Sequence, residues 1–310
     1  MSAVPQLAPG EPVGAGRSRR RLARGRFAVL ALTPALLLLG ALSLPPTFGA
    51  IGLAFRNSSL LSPTSRWIGF GNFVRMWSDP RFFNSLEVSL VWEIVTVSGA
   101  MTVAVLLGVW IYERVTGGAR SYICLALILP VLLPRVSAGL IWRFMYSPLI
   151  GILNYPLQLA GLQPIEFLTR PSIALYAVAV VDIWQWGLFF AVIFLKLLET
   201  LPVSPLEAAR LDHATALEVH WFVSLPMLRG PLVAMAFIKA IESLRSFDLV
   251  YTMTNGGPGI ATETLDLYAY EQGIAISGDI SYAAAMAVLL LIVSTIVFFL
   301  LWGRAQRWSR

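Results

Sequence analysis

Metal ligation and nucleophilic catalysis draw mostly on histidine, cysteine and lysine, and this 310-residue chain has almost none: His213, His220, Cys124, Lys196 and Lys239. A single cysteine inside an apolar run can form neither an intrachain disulfide nor a cysteine metal cluster, so Cys124 reads as packing. The two histidines lack HExxH or any comparable metal spacing. Neither lysine stands in a G-x-x-x-x-G-K-[ST] loop, the backbone cradle that nucleotide phosphates need, so no ATP chemistry is expected in this chain. What remains is a set of ionisable groups within apolar runs: Asp182, Lys196, Lys239, Glu242, Arg245 and Asp248. Such groups are costly in a bilayer and are expected to point inward. Lys239, Glu242 and Arg245 recur every third residue, so they share one helix flank and can neutralise one another. The plain reading is a structural ladder against a neighbouring subunit.

The elements that carry these residues follow from composition. The chain is 57% hydrophobic and 13% charged, against about 45–50% and about 25% in soluble domains. A polar shell cannot cover such a chain, which excludes a soluble globular protein. The net charge of +6 sits at the ends. Arg17, Arg19, Arg20, Arg21, Arg24 and Arg26 precede the first apolar run, and Arg304, Arg307 and Arg310 follow the last. This is the positive-inside pattern rather than a nucleic-acid face. Residues 1–26 read as a disordered basic cytoplasmic tail, 27–303 as the membrane domain, and 304–310 as a short basic tail. The first run has no convincing cleavage site and reads as a retained span.

Apolar stretches over 27–55, 86–112, 122–146, 172–198 and 282–302 are each long enough to span. The stretch 223–251 carries Arg229, Lys239, Glu242, Arg245 and Asp248 and is weaker. With both ends expected to be cytoplasmic, the number of crossings must be even, which makes this stretch the fifth of six spans. The loop 252–279 holds Glu263, Asp266, Glu271 and Asp279 without Lys or Arg, as suits the external face.

Between the fourth and fifth spans, residues 199–222 are too polar to cross and read as two short helices. Ser204, Pro205 and Glu207 suggest an N-cap, a first-turn proline and the third position of a capping box. Asp212 is expected to cap the second helix, whose apolar stripe would be Ala214, Leu217 and Trp221. A loop helix with a small or apolar face needs something to dock against.

At Glu207, Ala208, Ala209, Asp212, Ala214, Leu225 and Pro226, this segment resembles the inner-membrane permeases of binding-protein-dependent sugar ABC importers, of the maltose and glycerol-3-phosphate type. LPVLLP in span three, IWQWG in span four, FDLVYTMTNGGPG after span five and SYAAAMAVLL in span six extend the likeness to roughly residues 27–302. His213 departs from it, standing where the family normally has Gly. Either the bend is reshaped or the helix continues through it.

The resemblance implies an all-α integral membrane protein of six transmembrane helices with a cytoplasmic coupling-helix loop between helices 4 and 5. The bacterial inner membrane is its implied location, with both termini cytoplasmic. Glu207, Ala208, Ala209, Asp212, His213, Ala214 and Leu217 would couple to two cytoplasmic ATPase subunits, which bind ATP and Mg2+; local capping by Glu207 can coexist with that contact. Thr254, Gly256, Gly257 and Pro258 form either an ordinary turn or the external loop that meets a solute-binding protein. A second permease subunit would complete the pore.

The solute would be sugar-like. Arg143 or Arg245 could pair with an anionic one, because guanidinium binds oxyanions bidentately. Asp182, Glu242, Trp184 and Trp186 are further candidates along its path. The two tryptophans cannot face the same way on a helix, and packing is their plain role. Two other classes fit less. An ion-gradient-driven carrier would explain the charges but not the 199–222 segment, and a membrane enzyme would need a catalytic cluster that Asp182 alone does not make.

Overall fold

The computed structural model describes residues 15–308. It comprises two units, residues 1–52 and 53–310. The first is represented by helix α1 (Ala15–Ala54), which runs through Pro34, Pro45 and Pro46. The helix starts within the stretch expected to be a disordered tail. Its opening residues, rich in Arg with Leu and Ala, are good helix formers once an apolar continuation exists. Residues 1–14 lie outside the described residues. At the other end, helix α14 (Ile280–Trp308) likewise takes in most of the expected basic tail.

In the second unit a short hairpin, β1 (Arg56–Ser59) and β2 (Ser62–Trp67), pairs antiparallel with Arg56 opposite Trp67. Then follow α2 (Gly71–Trp77), α3 (Pro80–Arg114), α4 (Gly117–Leu132), α5 (Arg135–Met145), α6 (Tyr155–Leu159) and α7 (Pro171–Glu199). The chain continues with α8 (Val203–Leu211), α9 (Ala216–Val219), a π-helical turn (His220–Ser224), α10 (Leu225–Met227) and α11 (Arg229–Ser243). Before α14 come α12 (Phe247–Met253), α13 (Leu265–Tyr270) and a second π turn (Glu271–Ala275).

Helices α3 and α7 form the spine. On α3 the buried positions Trp92, Thr96, Ala100, Ala104, Gly108 and Ile111 recur at three- and four-residue intervals, a single helical stripe. Three of them are small, which allows α7 to approach closely, and close packing rather than the hydrophobic effect holds helices together in lipid. A Cβ on Gly108 would lie 2.7 Å from Phe194 Cδ1 and 3.2 Å from the Ala191 carbonyl. One on Gly187 would meet Val103 Cβ at 3.1 Å. Phe190, Phe194, Leu198 and Met235 complete the apolar cluster on this seam.

By length and composition α1, α3 and α7 can each cross a bilayer alone. The expected third and fifth spans are not continuous. Helices α4 and α5 meet at 97°. Pro134 is the cause, since it excludes the helical conformation at Leu133, whose backbone is extended (φ −73°, ψ 131°). The stretch 216–227 meets α11 at 78°, and the chain breaks again after Ser243 before α12 begins.

The glycine seam generates the first prediction. Gly108→Val should lower the thermal stability of the detergent-purified protein, at a cost of about 1–3 kcal/mol from overpacking, whereas Gly118→Val, with nothing within 4 Å of its Cβ, should change it much less.

Candidate functional site

After α7 the backbone passes through Pro202, which takes the N-cap place of α8 with no side-chain cap bond. Ser204 therefore lies inside the helix, and the capping box expected from Ser204 and Glu207 does not form. Pro202, with its φ of −62°, starts the helix two residues ahead of Ser204's expected first turn. Leu206 is the one buried residue of α8; Glu207 and Ala208 are exposed and Ala209 is half-buried.

At the end of α8 the His213 amide donates to the Arg210 carbonyl at 3.1 Å, and the Ala214 amide to that of Ala209 at 3.2 Å. These are the two bonds of a Schellman motif, with Asp212 as C-cap and His213 at the left-handed position, φ 62°. The bend is thus kept, and histidine occupies a conformation that glycine adopts without strain.

Asp212 ends the first helix rather than starting the second. That role belongs to Thr215, whose hydroxyl accepts from the Glu218 amide while the Glu218 carboxylate accepts from the Thr215 amide at 2.8 Å. The Thr215 hydroxyl and amide hold the Glu218 carboxyl below the usual carboxylate range. Ala214 lies in the turn, so the apolar stripe is carried by Leu217 and Trp221, which with Leu211 and Phe222 are 62–81% exposed. The helix pair therefore presents an apolar face with small residues beside it.

Within the apolar body, Asp182 of α7 is fully buried. It pairs with Lys239 Nζ at 2.8 Å and with Arg135 Nη2 at 2.7 Å. Glu242 pairs with the same two cations, at 3.1 and 2.7 Å. Two anions and two cations form a closed ring between α5, α7 and α11, which relieves the cost of burying each.

This differs from the expected ladder in two respects. The partners lie within one chain rather than across a subunit boundary, and Arg135, not Arg245, closes the set. Arg245 lies beyond the end of α11, where its side chain is exposed and its carbonyl accepts from Arg135 at 2.6 Å. Asp248 and Lys196 are likewise exposed in the single chain, and Lys196 bonds Glu199 at 2.8 Å. Arg135 was legible in principle: it is an arginine inside an apolar run, in a chain whose intramembrane acids needed partners. The tryptophans diverge. Trp184 meets Trp142 edge-on at 5.4 Å, and Trp186 lies beside Phe190 with Lys239 Nζ 5.8 Å from its ring.

On the 252–279 loop, Asn255, Gly256 and Gly259 all take positive φ. Thr262 pins the turn by bonding Thr254 Oγ1 at 2.7 Å and the Gly257 carbonyl at 2.8 Å. Gly256 is required there, since a Cβ would meet Leu267 at 3.2 Å. Thr254, Gly257 and Pro258 line a cavity of ≈ 410 Å³ together with Arg143, Tyr146 and Phe167. Two groups of residues assigned to separate roles thus share one cavity. Three of the loop's four acids are paired with bases from earlier elements, Glu263 and Glu271 with Arg81 and Asp279 with Arg75 at 2.6 Å, while Asp266 accepts from the hydroxyls of Ser246 and Thr264.

Two variants follow from this geometry. His213→Gly should leave assembly intact and stabilise the protein by about 1 kcal/mol through relief of the left-handed strain. Asp182→Asn should destabilise it by about 3 kcal/mol by leaving two cations to share the single carboxylate of Glu242, and adding Lys239→Met should recover part of that loss. Thermal melting in detergent reads both.

The family model described as binding-protein-dependent transport system inner membrane component matches residues 100–308. The sulfoquinovosyl glycerol transport system permease protein SmoG of Agrobacterium fabrum is 31% identical, over 87% of each chain. The trehalose/maltose transport system permease protein MalF of Thermococcus litoralis is 26% identical over 94% of this chain and 98% of its own length. Among solved structures, a chain of a bacterial ABC transporter involved in import of the acidic polysaccharide alginate matches with a TM-score of 0.80 at 20% identity, covering 95% of this chain and all of that one. The chain belongs to the binding-protein-dependent transport system inner membrane components, and it is a multi-pass membrane permease of that family.

Proposed function

We propose that this permease is the translocation subunit of an ATP-driven importer for a sugar or sugar derivative, with six crossings and both termini in the cytoplasm. A second permease subunit completes the pore, one of two ATPase subunits docks on residues 206–221, and an external binding protein delivers solute near Thr254–Pro258. The observation that carries this reading is the helix pair of α8 and α9 with its π turn. Its end is shaped by a Schellman bend and a capping box, yet Leu211, Leu217, Trp221 and Phe222 remain in the open. An apolar face held in a defined shape is suited to a groove in a partner.

The solute class is supported by the relatives, whose names specify sulfoquinovosyl glycerol, trehalose or maltose, lactose, and glycerol-3-phosphate. Arg143 in the cavity by the 254–258 turn suits an anionic member of that class. A carrier driven by an ion gradient is less well supported, because the buried charges pair with one another and the apolar helix pair would have no use.

The test is reconstitution with the partner subunits. Uptake into vesicles should require ATP and persist with an ionophore. Leu217→Glu or Ala209→Trp should abolish co-purification with the ATPase subunits while the permease still melts near its usual temperature; unchanged co-purification would refute the docking assignment.

A further inference from the structure

The helix pair is not joined to the membrane body only through the chain. Its covalent routes lead back to α7 through residues 200–202 and on into α11 across a 78° bend at Leu228. A third route, to α3, is non-covalent and ends on one atom. Glu113, in the last turn of α3, accepts through Oε1 from Arg210 Nη2 of α8 at 2.8 Å. The same oxygen lies 2.8 Å from His220 Nε2 of the π turn. Both halves of the pair therefore converge on a single carboxylate, across about a hundred residues of sequence.

The histidine is built into place. His220 is 3% exposed, its Nδ1 lies 3.0 Å from the hydroxyl of fully buried Ser224, and its ring stands edge-on to Tyr112 at 5.6 Å. With the Nε2 proton directed at the carboxylate, Nδ1 is left to accept from Ser224, so one tautomer satisfies both contacts. The π turn explains why this histidine points inward: the wider turn offsets His220 from the exposed Leu217–Trp221 face.

The turn around Glu113 is also tied to the other helices. Arg120, at the start of α4, donates to the Tyr112 carbonyl at 3.0 Å and the Val115 carbonyl at 2.9 Å, and pairs with Glu199 at the end of α7 at 2.9 Å. Glu113 thus sits where α8, the π turn, α4 and α7 all meet α3. From there the small-residue seam couples α3 to α7, and α7 carries Asp182 of the charge ring.

We propose that Glu113 is the positioning residue through which movement of the helix pair reaches α3, so that coupling of ATP hydrolysis to transport depends on its double contact with Arg210 and His220. This rests on the reading of residues 206–221 as the ATPase-docking segment. It differs from docking in that the groups on Glu113 are Arg210 and His220 of this chain.

The experiment uses the full complex in vesicles and measures ATP hydrolysis and solute uptake together. Glu113→Ala should retain the ATPase subunits on co-purification and hydrolyse ATP, while solute taken up per ATP falls at least tenfold. Glu113→Gln, whose amide oxygen still accepts from both donors, should lie between that variant and the parent. Combining Glu113→Ala with Arg210→Ala and His220→Ala should add no further loss, as expected for residues acting as one unit. Parental uptake per ATP in Glu113→Ala, or additive losses in the combination, would overturn the proposal. So would loss of the ATPase subunits in both the Ala and the Gln variant, which would make Glu113 a strut for the loop. Retention of the ATPase subunits by Leu217→Glu would instead strike the docking reading, leaving a different signature.

Discussion

Hydrocarbon offers no hydrogen bonds, so any peptide group released by a broken helix and any charge carried into the bilayer must find its partner within the protein. Of this permease's helix breaks, those after Leu132 and after Ser243 are repaired with side chains from neighbouring helices. Gln185 of α7 donates to the Pro130 and Leu133 carbonyls freed by Pro134. Arg135 donates to the Arg245 carbonyl beyond the end of α11. The guanidinium that repairs the second break begins at the first, so a single residue fastens the two interruptions to each other. Its Nη2 donates to Asp182 and forms an ion pair with Glu242, which explains why the charge ring lies at this level of the molecule.

The membrane class, the apolar runs and the two-helix segment were legible because each rests on local chemistry. Composition excludes a polar shell, and the spacing of Leu217 and Trp221 declares a helical face. The caps were less legible. Ser204-Pro205-x-Glu207 and Thr215-x-x-Glu218 both satisfy the capping pattern, and only the second forms, because Pro202 has already set the backbone of the first. The pattern records which residues could cap, whereas the entry angle of the chain determines which do.

The charge partners were the hardest to anticipate, for a reason of dimension. Lys239, Glu242 and Arg245 have the right spacing along a helix, but the helix ends at Ser243, so the third member leaves the flank. Its replacement comes from more than a hundred positions earlier, and contacts of that kind follow from tertiary packing alone. The acidic loop 252–279 followed the same course. Its lack of Lys and Arg suited an external face and left its partners unseen, and Glu263 finds its own in Arg81, far back in the sequence. The conformation of His213 could not be decided from its type, since histidine enters the left-handed region only when the surrounding turn demands it.

At its N-terminal end α3 begins at Asp79, whose carboxylate caps the helix and also accepts from the hydroxyls of Tyr268 and Tyr282 at 2.6 Å. That end is moored to α13 and α14, and the other end carries Glu113. With 35 residues at about 1.5 Å each, the helix is a rod of roughly 50 Å. A rod held at one end works as a lever, so a shift of about 3 Å at the Glu113 end corresponds to a tilt of only some 3–4° over that length. Halfway along, near Val97, the excursion would be about half as large. The mooring at Asp79 therefore sets a gear ratio, by which a displacement at the Glu113 end would arrive reduced at the middle of the helix.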